Sequence, residues 1–513
     1  MTNQAESTSL PASTAHLDSA AVLAPPLPPS TPGARLRAGV SRFSINRDFG
    51  RYWFGQSLNA VAGRSINLLF PLVAVVSLHA STAAVGLVNA AQYAPVLLLS
   101  LYAGGWMVGK ARRPIMVAAN LLSAAFLAVV PIVSGLGSLH IGVLYAVIFA
   151  IGAATSFSDV CSLAYTTELV EPGQLMAANS RLETTSSIAT VAAPGFGGLL
   201  MGWFGGSTSL TVCAAAYLAA GLSILTVRRR RAMTRAEAAA ALVQATDQTV
   251  DTQRPRTDAA PGSPGESQDS NPDTVSTAVT DSAIDSANSS GSGTLVRIKQ
   301  GVRFTWRVPL LRYIDLLAAW FNLFEQAVLT LYVVYAVRTL GFSAGLLGLT
   351  MTIGGLGPVL GPALAARMGR RFGAARTMIL TMAMATVAPL LIPVAHGSKP
   401  MAFVLCTVAF VVYGFGLTVF NVFIVTAQQR TTPEHLLPQV AATKRFAAYG
   451  TIGIGAAVGG VAGEWLGLRP ALYAAVIALV IGWAAFSVVL LRSGSTGDGG
   501  PDEVPASALE PIG

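Results

Sequence analysis

Charged residues are scarce in this 513-residue sequence. Asp, Glu, Lys and Arg make up 11% of it, where soluble domains carry about a quarter. Hydrophobic residues make up 53%, and mean hydropathy is +0.58. That balance argues against a soluble globule and for a chain embedded in a membrane. Cysteine is also rare: Cys161, Cys213 and Cys406 lie scattered in apolar stretches. They are too few for a disulfide framework or a thiolate metal site, and they read as small buried hydrophobes. The five histidines (His16, His79, His140, His396 and His435) form no spaced cluster, so no metal site is expected. No nucleophile–base set appears either, so the chain is not read as an enzyme. Lys and Arg outnumber Asp and Glu by 33 to 24, a net charge of +9. These cations sit mainly at the ends of apolar runs, not on a soluble face, so no nucleic-acid partner is expected.

What is abundant is long apolar sequence. A helix needs about 20 mostly apolar residues to cross the hydrocarbon layer. Twelve such runs are legible, at 52–78, 82–107, 114–134, 139–166, 175–204, 208–227, 310–338, 344–366, 376–395, 400–428, 438–465 and 470–491. They group into six-helix bundles over 46–227 and 308–492. Residues 1–45 read as a disordered tail, because their apolar stretch from Ala20 to Ala24 is too short for a signal-peptide core. Residues 228–307 read as a linker; its 232–294 part repeats Ser, Thr, Asp, Ala and Gly and cannot bury a core. A second polar tail covers 493–513.

Orientation follows from Lys and Arg in the short loops. One side carries Arg47, Arg51, Lys110, Arg112, Arg113, Arg228 to Arg231, Arg367, Arg370, Arg371 and Arg376. The other offers only Arg338, Lys399 and Arg469. The basic side is expected to be cytoplasmic, with both termini there and the chain crossing the plasma (inner) membrane many times.

The two halves match at a constant offset. Ser81 to Leu87 (STAAVGL) aligns with Ser343 to Leu349 (SAGLLGL), and 343 minus 81 is 262. The same offset carries Met116 onto Met378, and Gly197 to Gly205 (GGLLMGWFG) onto Gly459 to Gly467 (GGVAGEWLG). Two parallel six-helix repeats related by an axis along the membrane normal describe a class of secondary transporter, whose substrate site lies near the midplane between the halves. The expected fold is therefore an all-α membrane protein of twelve transmembrane helices in two pseudo-symmetric bundles.

Local motifs sharpen this. Asn46-Arg47-Asp48-Phe49 with Trp53, Gly55 and Gln56 precedes or opens the first span, and Phe157-Ser158-Asp159 with Ala177-Ala178-Asn179 flanks the fourth-to-fifth loop. Gly301-Val302-Arg303-Phe304 with Trp306-Arg307 leads into the seventh span, and Thr432-Pro433 with Leu436-Leu437 precedes the eleventh. On these segments the sequence resembles the major facilitator superfamily, and within it the branch of macrolide, multidrug and enterobactin-type exporters. Ala193-Pro194-Gly195-Phe196-Gly197-Gly198 resembles that superfamily's drug/proton antiport motif, with Ala193 in place of its first glycine. Two readings of it stand: a hinge or seal made by Pro194 and its glycines, or a small-residue packing face. The basic loop Lys110-Ala111-Arg112-Arg113 has Val108 where the family carries an acid, so a cytoplasmic charge latch is not expected there, and Arg112 and Arg113 read as topology signals. Arg367, Arg370 and Arg371 form the matching basic loop.

Ionisable residues inside spans are functional candidates by default. Glu325, on the seventh span, is the first proton-coupling candidate. Arg64, on the first span, is its expected partner across the cavity, paired in one state and separated in another. Asp159 has two readings, proton coupling or a structural role in capping or a salt bridge with Arg181. Glu464, near Arg469, reads as structural. Asn59, Asn67, Gln92, Tyr93, Trp320, Asn322, Phe324, Gln326 and Asn421 are the candidates to line a substrate cavity, and an aromatic wall with few polar anchors suits an amphipathic organic molecule. The expectation is a monomeric proton-coupled antiporter exporting such a molecule, a drug, antibiotic or siderophore-like product. Its partners are substrate, protons and lipid, with no cofactor and the proton gradient as energy source. An importing symporter or facilitator, and a transport-inactive sensor, are the alternatives.

Overall fold

The computed structural model describes residues 46–106, 111–171, 174–227, 306, 309–431 and 437–495. Residues 1–45 and 496–513, nearly all of the linker and Lys110 lie outside the described residues. Helices account for the spans: α1 Arg47–Val76, α2 Thr82–Trp106, α3 Arg112–Gly135, α4 Ile141–Leu169, and one run Leu175–Leu225. Then come α7 Pro309–Arg338, α8 Ala344–Phe372, α9 Ala374–Val394, α10 Lys399–Thr431, α11 Leu437–Trp465 and α12 Leu468–Ser495. Among the described residues, eleven helical segments are long and apolar enough to cross a bilayer. The 51-residue run is two crossings, because Gly205 leaves helical geometry at φ 78 and ψ 173. At 1.5 Å per residue an unbroken helix of that length would run about 75 Å, more than twice the hydrocarbon thickness. Its parts, 175–204 and 206–225, are α5 and α6, and the described residues hold the twelve expected helices.

The repeat is visible down to single hydrogen bonds. Ser81 Oγ accepts from Ala84 N at 3.3 Å, and Ser343 Oγ accepts from Leu346 N at 3.2 Å. Both pairs differ by 262, so α2 and α8 start on the same serine cap. Trp203 and Trp465, also 262 apart, are 73% and 84% exposed near the ends of α5 and α11. Exposed tryptophans at helix ends are the pattern of a membrane interface. Within the first half α1 packs on α5 and α6, and α3 on α4 and α6; within the second, α7 packs on α11 and α12, and α10 on α8 and α9. Between the halves, α2 meets α11 and α5 meets α8. The offset exchanges these two contacts.

The arginines at the basic end make bonds as well as carrying topology. Arg112 pairs with Glu168 of α4. Arg113 donates to the carbonyls of Ile224 and Leu225, and Arg51 to that of Thr226 at 3.0 Å. These carbonyls lie at the C-terminal end of α6, where cations complement the helix dipole. Arg113→Ala is expected to destabilise the first half by about 1 kcal/mol, after allowing for solvent access. The check is the thermal unfolding midpoint in detergent, and an unchanged midpoint would mean that water replaces the guanidinium at no cost. Arg367, Arg370 and Arg371 are exposed at the C-terminal end of α8.

Candidate functional site

A cavity of about 980 Å³ opens between the helices of the first half. Helix α1 supplies Gln56, Asn59, Gly63, Arg64 and Asn67 to its wall. Their spacing of three, four, one and three residues keeps them on one helical face. Helix α4 contributes Ile148, Ile151, Gly152, Thr155, Asp159 and Ser162 on the same logic, and α2 adds Gln92 and Tyr93. From the second half come Tyr449 and Ile452 of α11, with Tyr449 stacked on Tyr93 at 6.3 Å between ring centroids and 26° between planes.

The wall is a hydrogen-bonding surface. Gln92 donates its amide to Asn67 Oδ1, and Asn59 Nδ2 donates to Asn120 Oδ1 at 2.7 Å. Asn120 in turn donates to the Met116 carbonyl at 2.8 Å, which fixes the amide's direction. Tyr52 donates to the Ser162 carbonyl at 3.1 Å and ties α1 to α4. Arg64 is exposed to the cavity, and among the described residues none makes a hydrogen bond or ion pair with its guanidinium. Asp159 and Glu183 are exposed on the same wall, nearer the basic end.

Glu325 faces elsewhere. Its carboxylate accepts from the Tyr413 hydroxyl of α10. It borders a cavity of about 10 Å³ whose other walls include Val328, Leu329, Ile392, Ala409 and Leu479. The expected pairing of Arg64 with Glu325 is absent from this state. In the second half an aliphatic wall leaves the carboxylate one donor, Tyr413, and it turns to that donor.

Of the expected lining, Asn59, Asn67, Gln92 and Tyr93 do line the large cavity, and Trp320, Asn322, Phe324, Gln326 and Asn421 do not. Helix α7 packs on α12, so Trp320 donates Nε1 to the Ala478 carbonyl at 2.8 Å, and its ring meets that of Phe324 at 4.7 Å between centroids and 54° between planes. Asn322 and Gln326 are half-buried on the same helix, and Asn421 is exposed on α10. The wall's aromatic side chains are tyrosines, with none of the expected Trp320 or Phe324 among them. Tyr52, Thr155 and Tyr449 were missed as lining residues. For Tyr52 the signal was present, since it lies one turn before Gln56 on the polar face of α1.

At the end away from the basic loops the two halves close on each other. Glycines allow this by bringing backbones into contact. A Cβ built on Gly86 of α2 would lie 2.8 Å from Gly460 Cα of α11, and one on Gly198 of α5 would lie 2.8 Å from Gly348 Cα of α8. Adding 262 to 86 gives 348, and adding it to 198 gives 460, so these are one crossing made twice. The motif Ala193-Pro194-Gly195-Phe196-Gly197-Gly198 sits here: Gly195 and Gly198 face α8, and Gly197 faces Ser65 and Leu69 of α1. Ser65 Oγ donates to the Ala193 carbonyl at 3.2 Å. Asn89 Nδ2 donates across the halves to Thr330 Oγ1 at 3.1 Å. In this state the motif is a packing face between α1, α5 and α8.

Two six-helix repeats, closed at one end by matched glycine crossings and holding a polar cavity toward the other, define a secondary transporter. The chain belongs to the Major Facilitator Superfamily, whose sequence profile matches residues 52–443 and 316–510. It is 26% identical over 427 residues to the multidrug efflux pump Tap of Mycolicibacterium fortuitum, covering 80% of this chain and 88% of that protein. The Tap pump of Mycobacterium tuberculosis strain H37Rv is 25% identical over 449 residues, covering 85% and 92%. Among solved structures, the nucleoside transporter NupG superposes with a TM-score of 0.60 at 12% identity, covering 87% of this chain and all of that one. A bacterial homologue of the iron transporter ferroportin in an inward-facing state gives 0.60 at 14% identity, covering 88% of this chain and 100% of that one. These likenesses at low identity concern the fold.

Proposed function

We propose that the protein is a proton-coupled antiporter of the plasma membrane that exports a small amphipathic organic molecule by alternating access. The observation that carries this reading is the cavity of about 980 Å³ with Asp159 in its wall, reaching the end that bears the arginine-rich loops. By the positive-inside rule that end is cytoplasmic, which puts both termini there. The cavity then takes its substrate from the cytoplasm, the side from which an exporter loads. Its volume is at the upper end of the range for drug-sized ligands. The relatives named as multidrug efflux pumps support the same direction. Tyr93 and Tyr449 offer ring faces to an apolar body, and Asn59, Asn67 and Gln92 offer donors and acceptors to a polar end.

Antiport requires that substrate and proton exclude each other on the carrier. Thermodynamic linkage makes any such exclusion reciprocal. A substrate whose cationic or donor group uses the acceptor oxygens of Asp159, or whose field favours ionised Glu325, competes with the proton for those carboxylates. Proton uptake from the outer side then releases the substrate, and proton release to the cytoplasm resets the site. Arg64 is the fixed cation against which either carboxylate is balanced. The working unit is a monomer in lipid, with the proton gradient as its energy source and no cofactor.

The test uses everted vesicles containing the protein and the fluorescent cation ethidium as probe. Acidifying the vesicle interior is expected to drive ethidium inward, and collapsing the gradient to release it. Accumulation driven by the opposite gradient would identify an importing symporter instead. Flux indifferent to the gradient would identify a facilitator. Deleting residues 232–294 is expected to leave the flux intact, as a passive linker requires.

A further inference from the structure

We infer that Glu464 is a latch between the two halves that holds the non-basic mouth shut and makes the state seen here the resting one. The inference rests on the alternating-access reading above. Glu464 stands in the last turn of α11, in the second half. Its Oε2 accepts from Thr82 N at 2.8 Å and from Ala83 N at 3.4 Å, the first two backbone donors of α2 in the first half. Those N–H groups have no partner within their own helix, and they form the positive end of its dipole. A carboxylate there makes charge-assisted bonds, which are stronger than neutral ones. The same segment is held from a second side by Arg338, at the end of α7, which donates to the Ala80 carbonyl. Opposite charges from the second half thus grip both polar faces of the turn that opens α2.

The repeat shows that closure by itself does not need this acid. Subtracting 262 from 464 gives Gly202, which lies against Gly345 at the matching α5–α8 crossing. That crossing closes as tightly as the other with no charge on it. Packing therefore does not explain Glu464, and a latch does. At the basic end the loops over 104–113 and 366–376 contain no Asp or Glu, so neither loop offers a matching carboxylate. The Glu464 fastening has no counterpart in those two loops, and it favours the state in which its own mouth is shut. Opening that mouth separates Thr82 and Ala83 from Glu464 and leaves both to water, which recovers part of the lost energy. The net bias is therefore about tenfold, the value of one charge-assisted hydrogen bond after solvent competition.

The test is the distance between spin labels on S138C and S398C in the full-length chain in lipid nanodiscs, measured by pulsed electron resonance. Both serines are exposed, in the α3–α4 and α9–α10 loops of opposite halves, and the three native cysteines are buried. Wild type is expected to show a dominant short distance and a minor long one that grows on acidification. Glu464→Ala is expected to raise the long population about tenfold. Glu464→Gln keeps the shape but not the charge, and is expected to fall between, while Glu464→Asp stays near wild type. If Glu464→Ala does not fold, the Gln variant decides. An unchanged distribution in the Ala or Gln variant, with wild type still populating two distances, overturns the latch and leaves alternating access standing. A single distance in every variant and at every pH overturns both.

Discussion

Glu325→Gln is expected to abolish gradient-driven accumulation of probe in everted vesicles, down to the level of vesicles without the protein. Insertion and folding are expected to survive. Gln has the shape of Glu, and its amide oxygen can still accept from the Tyr413 hydroxyl that now binds the carboxylate. What is lost is the capacity to gain and release a proton. A carboxyl with one protein donor and an aliphatic wall is where such a change in charge alters the local energy most. Tyr413→Phe should weaken coupling without abolishing it, because the titrating group remains and only its donor is gone. Full activity of Glu325→Gln with an intact dependence on the pH gradient would transfer the coupling role to Asp159, and Asp159→Asn would then carry the loss.

How much of this was legible in the sequence depended on whether the signal was local. The spans, their count and the 262-residue repeat rest on runs of apolar residues and on short identities, and all reappear as helices and matched crossings. The polar stripe of α1 was half-legible, because Asn59, Arg64 and Asn67 stand out in an apolar helix. The second half misled. In a lipid-embedded bundle the face toward lipid and the face toward neighbouring helices are both apolar, so periodicity does not say where Trp320 and Phe324 point. They point to α12. The role of Glu464 was illegible for another reason: its partner Thr82 is 382 residues away, and the nearby Arg469 instead donates to the Pro393 carbonyl at 2.8 Å. Charge pairing guessed from neighbours in sequence fails where helix ends meet across a fold.

Gly198→Ala is expected to be among the most damaging single-methyl additions in the chain, and Gly197→Ala, one residue away, to be mild. A Cβ on Gly198 would stand 2.5 Å from the Ala344 carbonyl oxygen and 2.8 Å from Gly348 Cα, both backbone atoms of α8 that cannot rotate away. A Cβ on Gly197 meets Ser65 Cβ at 3.4 Å and Leu69 Cγ and the Ser65 carbonyl oxygen at 3.5 Å, which is ordinary contact. Overpacking of the first kind costs about 1–3 kcal/mol. Here it acts on the contact that keeps one mouth shut, so it should reduce both stability and transport, the latter by about tenfold or more. The repeat extends the claim. Gly86→Ala meets the Ala456 carbonyl at 2.6 Å and is expected to match Gly198→Ala in effect. Gly86→Ala and Gly460→Ala strain the same crossing, so their double variant should cost less than the sum of the two. Gly86→Ala and Gly198→Ala strain different crossings and should add. Equal transport by the Gly197→Ala and Gly198→Ala variants, or additivity within one crossing, would show that these glycines do not set the distance between the halves.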